Sequence, residues 1–406
     1  MTRPLWHARA AVFATFFAVG LGMGAWLVSI PAVQAATHVS HGVLGGLLLL
    51  LGLGGVLGMQ LSGALSQRFG SRVVTIVFLL LFAGVVNLPL HAGGAVTLGL
   101  ALLAFGLANG AVDVAMNEQA VLVERRYSRP VMSAFHALWS VGAAIGALAG
   151  SLIQQAQLTP AWTPLVATVG TLLALGFIAP RLIGAAAPTA AATDDRTATS
   201  PSTALAAATR RRVIGFGALA FLLMLAEGVA NDWSALHAVE HLEVPRATAG
   251  LAYAVFAVSM TVGRLVVDRI AGRFGPAFVV RYGSALAAVG IVVVMISPLF
   301  AVTAVGWCLF GLGLAGVVPQ LFTAAGNISP ARQSIIMSRV VGAGYVGQLA
   351  GPAIIGAVAG LIGLNLSFVF PLVFCLLAVV IAGIVTPRRD GADDAASPVL
   401  DPASRS

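Results

Sequence analysis

The feature that most constrains this chain is a succession of apolar stretches, each near the ~20 residues that a helix needs to cross a bilayer. Hydrophobic residues make up 59% of the sequence and charged residues only 9%. A soluble domain carries roughly 25% charged residues, so this chain has far too much apolar side chain to cover with polar groups. The sequence therefore predicts an all-α membrane protein.

The apolar stretches form two sets of six. The first set covers 9–32, 42–66, 71–91, 95–122, 130–154 and 162–183, and the second covers 212–236, 247–271, 276–297, 300–324, 333–360 and 365–386. Residues 184–209, rich in Ala, Thr, Ser and Pro, are predicted to form a flexible linker, and the polar residues 387–406 a disordered tail. We expect an N-terminal six-helix bundle over 1–183 and a C-terminal six-helix bundle over 210–386.

The basic residues predict how the chain is oriented. All 22 are arginines, and nearly all lie at span ends on the side that also holds both termini and the linker. Arg246 lies clearly on the other side, and Arg264 and Arg339 fall within spans. Because basic loops stay in the cytoplasm, both termini and the linker are expected there. The arginines form no basic face, so the net charge of +8 does not indicate a nucleic-acid partner.

Short segments of the first half recur in the second at a constant distance. FGL at 105–107 recurs at 310–312 and RFG at 68–70 recurs at 273–275, an offset of 205 residues in both cases. Since each half has an even number of spans, both halves insert the same way up. This predicts two parallel six-helix repeats with a solute site between them.

The fourth span carries a polar stripe. Asn109, Asp113 and Asn117 are four residues apart and so share one helix face. A charge facing lipid at mid-span costs at least ~2.5 kcal/mol, so this face is expected to line a polar cavity in which Asp113 binds solute or a proton. The alternative is an acid that only holds helices together by hydrogen bonds.

In the seventh span, Glu227 and Asn231 are predicted to share a face, and Asp232 and Trp233 lie beside them. Glu227 is a second candidate for solute or proton binding. Asp232 is predicted to act at the outer gate or simply to cap it. Trp233 and Trp26 hold equivalent places in the two halves, where aromatic faces suit sugar rings or cations but are also common as interfacial belt residues.

Two further candidates are His136 and Arg339. His136 lies in the fifth span, where it acts either as a proton relay or as a hydrogen-bonded packing residue. For Arg339 in the eleventh span three interpretations stay open, because its guanidinium can bind a substrate carboxylate, pair with an acid, or reach the cytoplasmic surface.

The loop after the second span, Gly63-Ala-Leu-Ser-Gln-Arg-Phe-Gly-Ser-Arg72, resembles the G-x-x-x-D-R-x-G-R loop of the major facilitator superfamily, with Gln67 where the acid is usual. Five further segments are informative, namely GAWLVSIP (24–31), AVDVAMNEQAVLVERR (111–126), SAFHALWSVG (133–142), AEGVANDWSAL (226–236) and GRLVVDR (263–269). In these segments the chain resembles the bacterial YbjJ-like permeases, which are distantly akin to fucose permeases.

This resemblance implies the major facilitator fold, with spans 1, 4, 7 and 10 around a central cavity, and a fourth-span carboxylate that matters for solute binding or proton coupling. It also implies a multi-pass protein of the bacterial inner (plasma) membrane. Charged residues near the cytoplasmic ends of the spans are predicted to act as gate and conformational-switch groups or, where exposed, only as topology signals. These residues are Arg68, Arg72, Arg264, Asp268 and Arg269.

We therefore expect a secondary active transporter that moves a small polar solute, sugar-like or a related metabolite, by alternating access with proton coupling. Proton-coupled multidrug efflux is the alternative, and a transporter-like ligand sensor is a third. No nucleophile–base pair or metal cluster is apparent, so neither an enzyme nor a cofactor or metal is predicted. The expected partners are the solute, the coupling proton and the lipid bilayer, and the expected state is a monomer.

Overall fold

The structure is a computed structural model, which describes residues 3–127, 129–159, 161–184 and 203–386. Most of the predicted linker and the whole predicted tail lie outside these residues. The described ranges are built from helices joined by short turns. These helices are α1 (Arg3–Thr37), α2 (His41–Phe69), α3 (Ser71–Val85), α4 (Ala95–Arg125), α5 (Met132–Gln155), α6 (Trp162–Ile178), α7 (Thr203–Glu240), α8 (Arg246–Phe274), α9 (Pro276–Ile296), α10 (Phe300–Leu314), α11 (Val317–Gly326), α12 (Gln333–Ile362), α13 (Leu364–Ser367) and α14 (Val369–Ile381).

Two of the spans are broken by prolines. A proline has no N–H to donate to the carbonyl four residues earlier. Helix α10 accordingly ends at Leu314, and the next carbonyl, that of Ala315, is the one to which Pro319 cannot donate. Helix α13 ends at Ser367, whose carbonyl lies four residues before Pro371. Each pair of pieces still forms a single span, over Phe300–Gly326 and Leu364–Val385.

The predicted set of spans is confirmed. Within the described residues, 11 helical segments are long and apolar enough to cross a membrane, and Trp162–Ile178 is a shorter apolar helix in the place of the sixth span. That sixth helix stops at Ile178, whereas the sequence predicts 162–183. Pro180 explains the early end, because it has no N–H to donate to the carbonyl of Gly176, four residues earlier.

Glycines allow the helices inside each half to pack closely. A Cβ atom on Gly58 of α2 would collide with the backbone of Leu107 and Ala111 in α4, and one on Gly110 of α4 would collide with the backbone of Gly55 in α2. The glycine-rich run at 51–58, LGLGGVLG, is thus a helix-packing surface of the kind that small residues provide in membranes. It is not a phosphate-binding loop.

The same packing recurs in the second half, which confirms the parallel repeat. Gly263 of α8 faces Leu312 and Ala315 in the α10 region, at positions about 205 residues beyond Gly58 and its neighbours. Helix α1 packs on α5 as α7 packs on α12, and α2 packs on α4 as α8 packs on α10. The two bundles meet along α5 against α8 and α2 against α12.

The α2–α4 contact gives a first prediction. Replacing Gly110 by Ala puts a methyl group into the backbone of α2, and overpacking usually costs about 1–3 kcal/mol. We expect lower yield of folded protein and a lower melting temperature by thermal unfolding in detergent. Gly84→Ala is the matched control, because a Cβ at Gly84 meets nothing within 4 Å. Equal stability of the two variants would contradict the packing argument.

Candidate functional site

The two ends of the helical bundle carry different turns. The turns at residues 70, 126–127, 129–131, 275 and 327–332 lie on one face, here called the linker face, because α6 ends and α7 begins there. The other is called the opposite face. The candidate site lies between these faces, where side chains from both halves meet near the middle of their helices. We call it the central cluster and define it as Asp113, Glu227, Arg264 and Tyr345.

The central cluster contains an ion pair. Arg264 of α8 and Glu227 of α7 lie 3.6 Å apart, with side chains 11% and 17% exposed. Arg264 also reaches across to the first half, where its Nη1 donates to the hydroxyl of Ser140 in α5 at 2.8 Å. The guanidinium therefore joins a carboxylate of its own half to a hydroxyl of the other, as a planar group with several donors can.

Asp113 of α4 faces this pair from the first half. Its side chain is 5% exposed, and its Oδ2 is buried without a hydrogen-bond partner. Tyr345 of α12 lies close enough to interact with the Asp113 carboxyl, and it also interacts electrostatically with Glu227 and Arg264. The phenol therefore lies near both carboxylates, which belong to different halves.

The two asparagines of the α4 stripe differ in their surroundings. Asn117 is fully buried and donates to the backbone oxygen of Asp113 at 2.9 Å, which leaves its Oδ1 buried without a partner. Asn109 lies one turn nearer the opposite face and is half-buried. The stripe therefore continues on both sides of Asp113, as its spacing predicts, with the more enclosed amide toward the linker face.

The aromatic and polar groups of α7 lie next to the central cluster. Asn231 and Trp233 are half-buried, and Asp232 is exposed. The Trp233 ring lies against Gly356 of α12, and its Nε1 is buried without an acceptor. Asp232 lies toward the opposite face, so it does not join the central cluster.

Trp26 does not match Trp233 in its environment. It is 2% exposed and packs edge-on against Phe105 of α4, with ring centroids 5.7 Å apart. The ring is enclosed by helices of the first half and presents no open face to a cavity.

His136 of α5 lies near Arg264 at the inner edge of the cluster. Its ring packs against Phe16 at 5.2 Å and Phe322 at 6.0 Å, and its Nε2 is buried without a partner. Arg339, in contrast, is exposed on α12. Of the three roles that its sequence position allows, reaching the surface fits this exposure, and Arg339 does not belong to the site.

The second group of candidate residues lies at the linker face. Asp268 of α8 is 9% exposed, and its two carboxylate oxygens accept the backbone N–H groups of Ser133 at 3.1 Å and Ala134 at 2.8 Å. These N–H groups belong to the first turn of α5, where a helix has unsatisfied donors and favours negative charge. Asp268 thus ties the second half to the first.

Glu124 completes this cap. Its Oε2 accepts the N–H groups of Val131 and Met132, both at 2.7 Å, and its Oε1 accepts from the Thr323 hydroxyl of α11 at 2.6 Å. Two carboxylates from opposite halves therefore satisfy four successive N–H groups at the start of α5. Charge-assisted bonds of this type are the strong ones among protein hydrogen bonds.

Further polar contacts close the linker face. Arg125 of α4 donates to the backbone oxygen of Gly326 and to Asn327. Gln333 donates to the backbone oxygen of Glu118 at 3.3 Å, and Gln60 donates to that of Ser338 at 3.1 Å. In the described ranges, every side-chain hydrogen bond that we find between the halves lies between mid-bundle and the linker face. The protein is therefore closed on that side.

The remaining gate candidates do not cross between the halves. Arg72 donates to the backbone oxygen of Ala179 at 3.1 Å, within the first half. Arg68 is exposed beside Phe69, and Arg269 is exposed and bonds its own helix at Leu265. These three are left as candidates for topology signals.

Several residues of these networks are not singled out by the sequence, among them Tyr345, Glu124 and Thr323. Tyr345 gives a weak signal as one of only 4 tyrosines in the chain, placed within an apolar span. Glu124 stands beside Arg125 and Arg126 at the end of its span, where a charge is common, and Thr323 gives no signal at all. A better clue to Glu124 is that Val131 sits at the start of α5, where valine cannot cap the helix with its side chain.

The ion pair yields a second prediction. Glu227→Gln leaves Arg264 charged without a counter-charge, whereas in Arg264→Gln the remaining carboxyl is able to take up a proton. Removing one partner of a buried pair costs about 3–5 kcal/mol. We expect Glu227→Gln to lower the melting temperature more than Arg264→Gln does. The double variant Glu227→Gln/Arg264→Gln is expected to recover part of the loss seen in Glu227→Gln. Strictly additive losses in the double-variant cycle would show that the two side chains are not coupled.

The fold and the site define a helical membrane protein that is built from two repeats, with the candidate site between them. Comparison with known proteins is in line with this class. The sequence model described as Major Facilitator Superfamily matches residues 216–403. An uncharacterised MFS-type transporter of Yersinia pestis is 38% identical over 360 residues, covering 87% of this chain and 89% of that protein. The chain belongs to the major facilitator superfamily.

Other similar proteins give the same result. The membrane protein MosC of Rhizobium meliloti is 31% identical over 89% of this chain and 86% of its own length. Among solved structures, the transporter FucP in the outward conformation aligns with a TM-score of 0.77 at 16% identity, covering 93% of this chain and 98% of that one. The human organic anion transporter MFSD10 aligns with a TM-score of 0.74 at 17% identity, covering 95% and 100%. At these identities the structural matches establish the fold alone.

Proposed function

We propose that this protein moves a small polar solute, sugar-like or a related metabolite, across a bacterial inner membrane by proton-coupled alternating access. In this proposal it acts as a monomer with both termini and the linker in the cytoplasm. The observation that carries the proposal is the central cluster, where two carboxylates, a guanidinium and a phenol from both halves meet at mid-bundle.

Asp113 is the proposed proton site. It is 5% exposed, one of its oxygens is buried without a donor, and no arginine pairs with it in the described residues. A bare charge in such a place is costly, and a proton removes that cost. Glu227 differs, because Arg264 already balances it. This asymmetry supports a role for Asp113 in proton binding and a structural or solute-binding role for the Glu227–Arg264 pair.

The same groups suit a solute with several hydroxyls. The hydroxyl of a sugar-like molecule donates to a carboxylate and accepts from a guanidinium or amide, and Asn231 and Asn109 lie within about a turn of the two carboxylates. Two structures with the same fold are named as a fucose:proton symporter and a proton:xylose symporter. Those names apply to those proteins, and here they only favour testing sugars first.

The contacts at the linker face support alternating access. With that face closed by Asp268, Glu124 and Arg125, solute reaches the central cluster from the opposite face. Opening the linker face breaks these bonds, and the halves then rock about the central cluster. Solute and proton favour one of the two arrangements by their difference in affinity for them.

The experiment is a ligand panel. Purified protein is heated with sugars, organic acids, amino acids and lipophilic cations at low and at high pH, because a ligand that binds the folded state raises the melting temperature by mass action. A sugar or acid hit is then tested for solute-driven proton movement in proteoliposomes. Hits only among lipophilic cations would instead favour drug efflux, and a bound ligand without any flux would favour a sensor.

A further inference from the structure

A cavity lies at the linker face, apart from the central cluster. Its volume is about 420 Å³, and it opens where α1 and the start of α5 meet the end of α8. Four arginines line it, Arg9 and Arg129 from the first half and Arg269 and Arg273 from the second. The cavity therefore exists in this form only while the two halves are together at this face.

The charge of this cavity is unbalanced. Four guanidinium groups and one carboxylate, that of Asp268, line it, which is an excess of three positive charges. Both oxygens of Asp268 already accept backbone N–H groups of α5. None of the four arginines forms a salt bridge among the described residues. The positive charges of arginines from the two halves repel one another where the halves meet at the linker face. A bound anion in the cavity reduces that repulsion.

The side chain of Arg9 is held in place at the cavity by contacts within the first half. Its Nη1 donates to the Tyr127 hydroxyl at 2.9 Å, and its guanidinium stacks near the rings of Phe13 and Tyr127 at 5.0 and 5.1 Å. Its Nε is buried with no hydrogen-bond partner. A buried donor without an acceptor is uncommon, and here it belongs to a side chain that lines the cavity. The other three arginines are exposed, so their side chains are free to turn toward a ligand.

We propose that this cavity binds an anionic phosphate-bearing group, either the head group of an anionic phospholipid or a soluble phosphate ester. Guanidinium groups match phosphate oxygens with paired hydrogen bonds. Basic pockets between transmembrane helices are able to take up phospholipid head groups. Because the four arginines come from both halves, the bound group stabilises the arrangement that is closed at the linker face. The site does not depend on the solute or on proton coupling, so its failure and that of the proposed transport are distinguishable.

The experiment compares ligands and variants of the purified full-length protein. Binding is measured by isothermal titration calorimetry in detergent with dihexanoyl phosphatidylglycerol, with the zwitterionic dihexanoyl phosphatidylcholine, and with inorganic phosphate. The test variant is Arg129→Ala/Arg273→Ala. The matched control, Arg126→Ala/Arg281→Ala, removes two exposed arginines that do not line the cavity.

The wild type and the control are expected to bind phosphatidylglycerol or phosphate saturably, and the test variant to lose roughly tenfold or more in affinity, as expected for lost hydrogen bonds to a charged group. Tighter binding of phosphatidylglycerol than of phosphatidylcholine identifies a lipid source, and binding of phosphate alone identifies a soluble one. Equal affinity in the two double variants, or no saturable binding to the wild type, would overturn the proposal. Gel filtration and melting curves check that both variants are folded.

Discussion

Asp113→Asn is expected to abolish proton-driven accumulation of the solute in proteoliposomes, so that inside and outside concentrations only equalise. The amide keeps the size and hydrogen bonding of the carboxyl but cannot exchange a proton. Exchange of labelled for unlabelled solute moves no net proton and is expected to persist. The measurement is therefore a pair, accumulation driven by an imposed pH gradient and solute exchange without one. We expect the protein to remain folded, because Asn117 bonds the backbone of Asp113 and not its side chain.

Glu240→Gln is the control for this experiment, since it makes the same change of acid to amide at an exposed position at the end of α7. It is expected to accumulate solute like the wild type. If Asp113→Asn also accumulates solute normally, Asp113 carries no coupling proton. If the folded variant loses both accumulation and exchange, Asp113 is needed for solute binding itself, and this experiment then does not separate that role from proton coupling.

Asp268→Asn is expected to open the linker face. The substitution removes the charge and one of the two acceptors that hold the Ser133 and Ala134 N–H groups. Hydrogen bonds to charged groups contribute about 1.5–3 kcal/mol each, so the closed population should fall by roughly tenfold to a hundredfold relative to the open one. Pulsed electron–electron double resonance measures the distance between spin labels at positions 126 and 332, in a variant without Cys308 and Cys375. Opening of the linker face is expected to lengthen that distance.

The same labels on a Glu240→Gln background serve as the control, because that acid lies on the opposite face. An unchanged distance distribution in Asp268→Asn would remove Asp268 from the gate. Slower solute flux with unchanged solute affinity would agree with a gate role, whereas loss of affinity with normal turnover would argue against it. Glu124→Gln is a useful comparison, because Glu124 caps the same helix end but reaches the other half only through Thr323.

Much of the fold follows from composition and spacing alone. Apolar stretches of bilayer length specify the spans because a backbone in lipid must satisfy its own hydrogen bonds. The offset of 205 residues between FGL at 105–107 and at 310–312 predicts the parallel repeat. The sixth span was predicted too long, because Pro180 ends α6 near Ile178 while the apolar character of the sequence continues.

For the candidate site, too, the sequence identifies individual residues and the tertiary structure decides which of them contact each other. The sequence by itself identified Asp113, Glu227, Arg264 and Asp268, because an ionised side chain within an apolar span is costly and so marks a protein-lined position. Only the tertiary structure decided which of them meet. It pairs Arg264 with Glu227 and leaves Arg339 exposed, although both arginines look alike in the sequence. It also brings Tyr345 to Asp113 and Asp268 to the start of α5. Such pairings depend on how helices far apart in the chain rotate and pack, and no local pattern encodes that rotation.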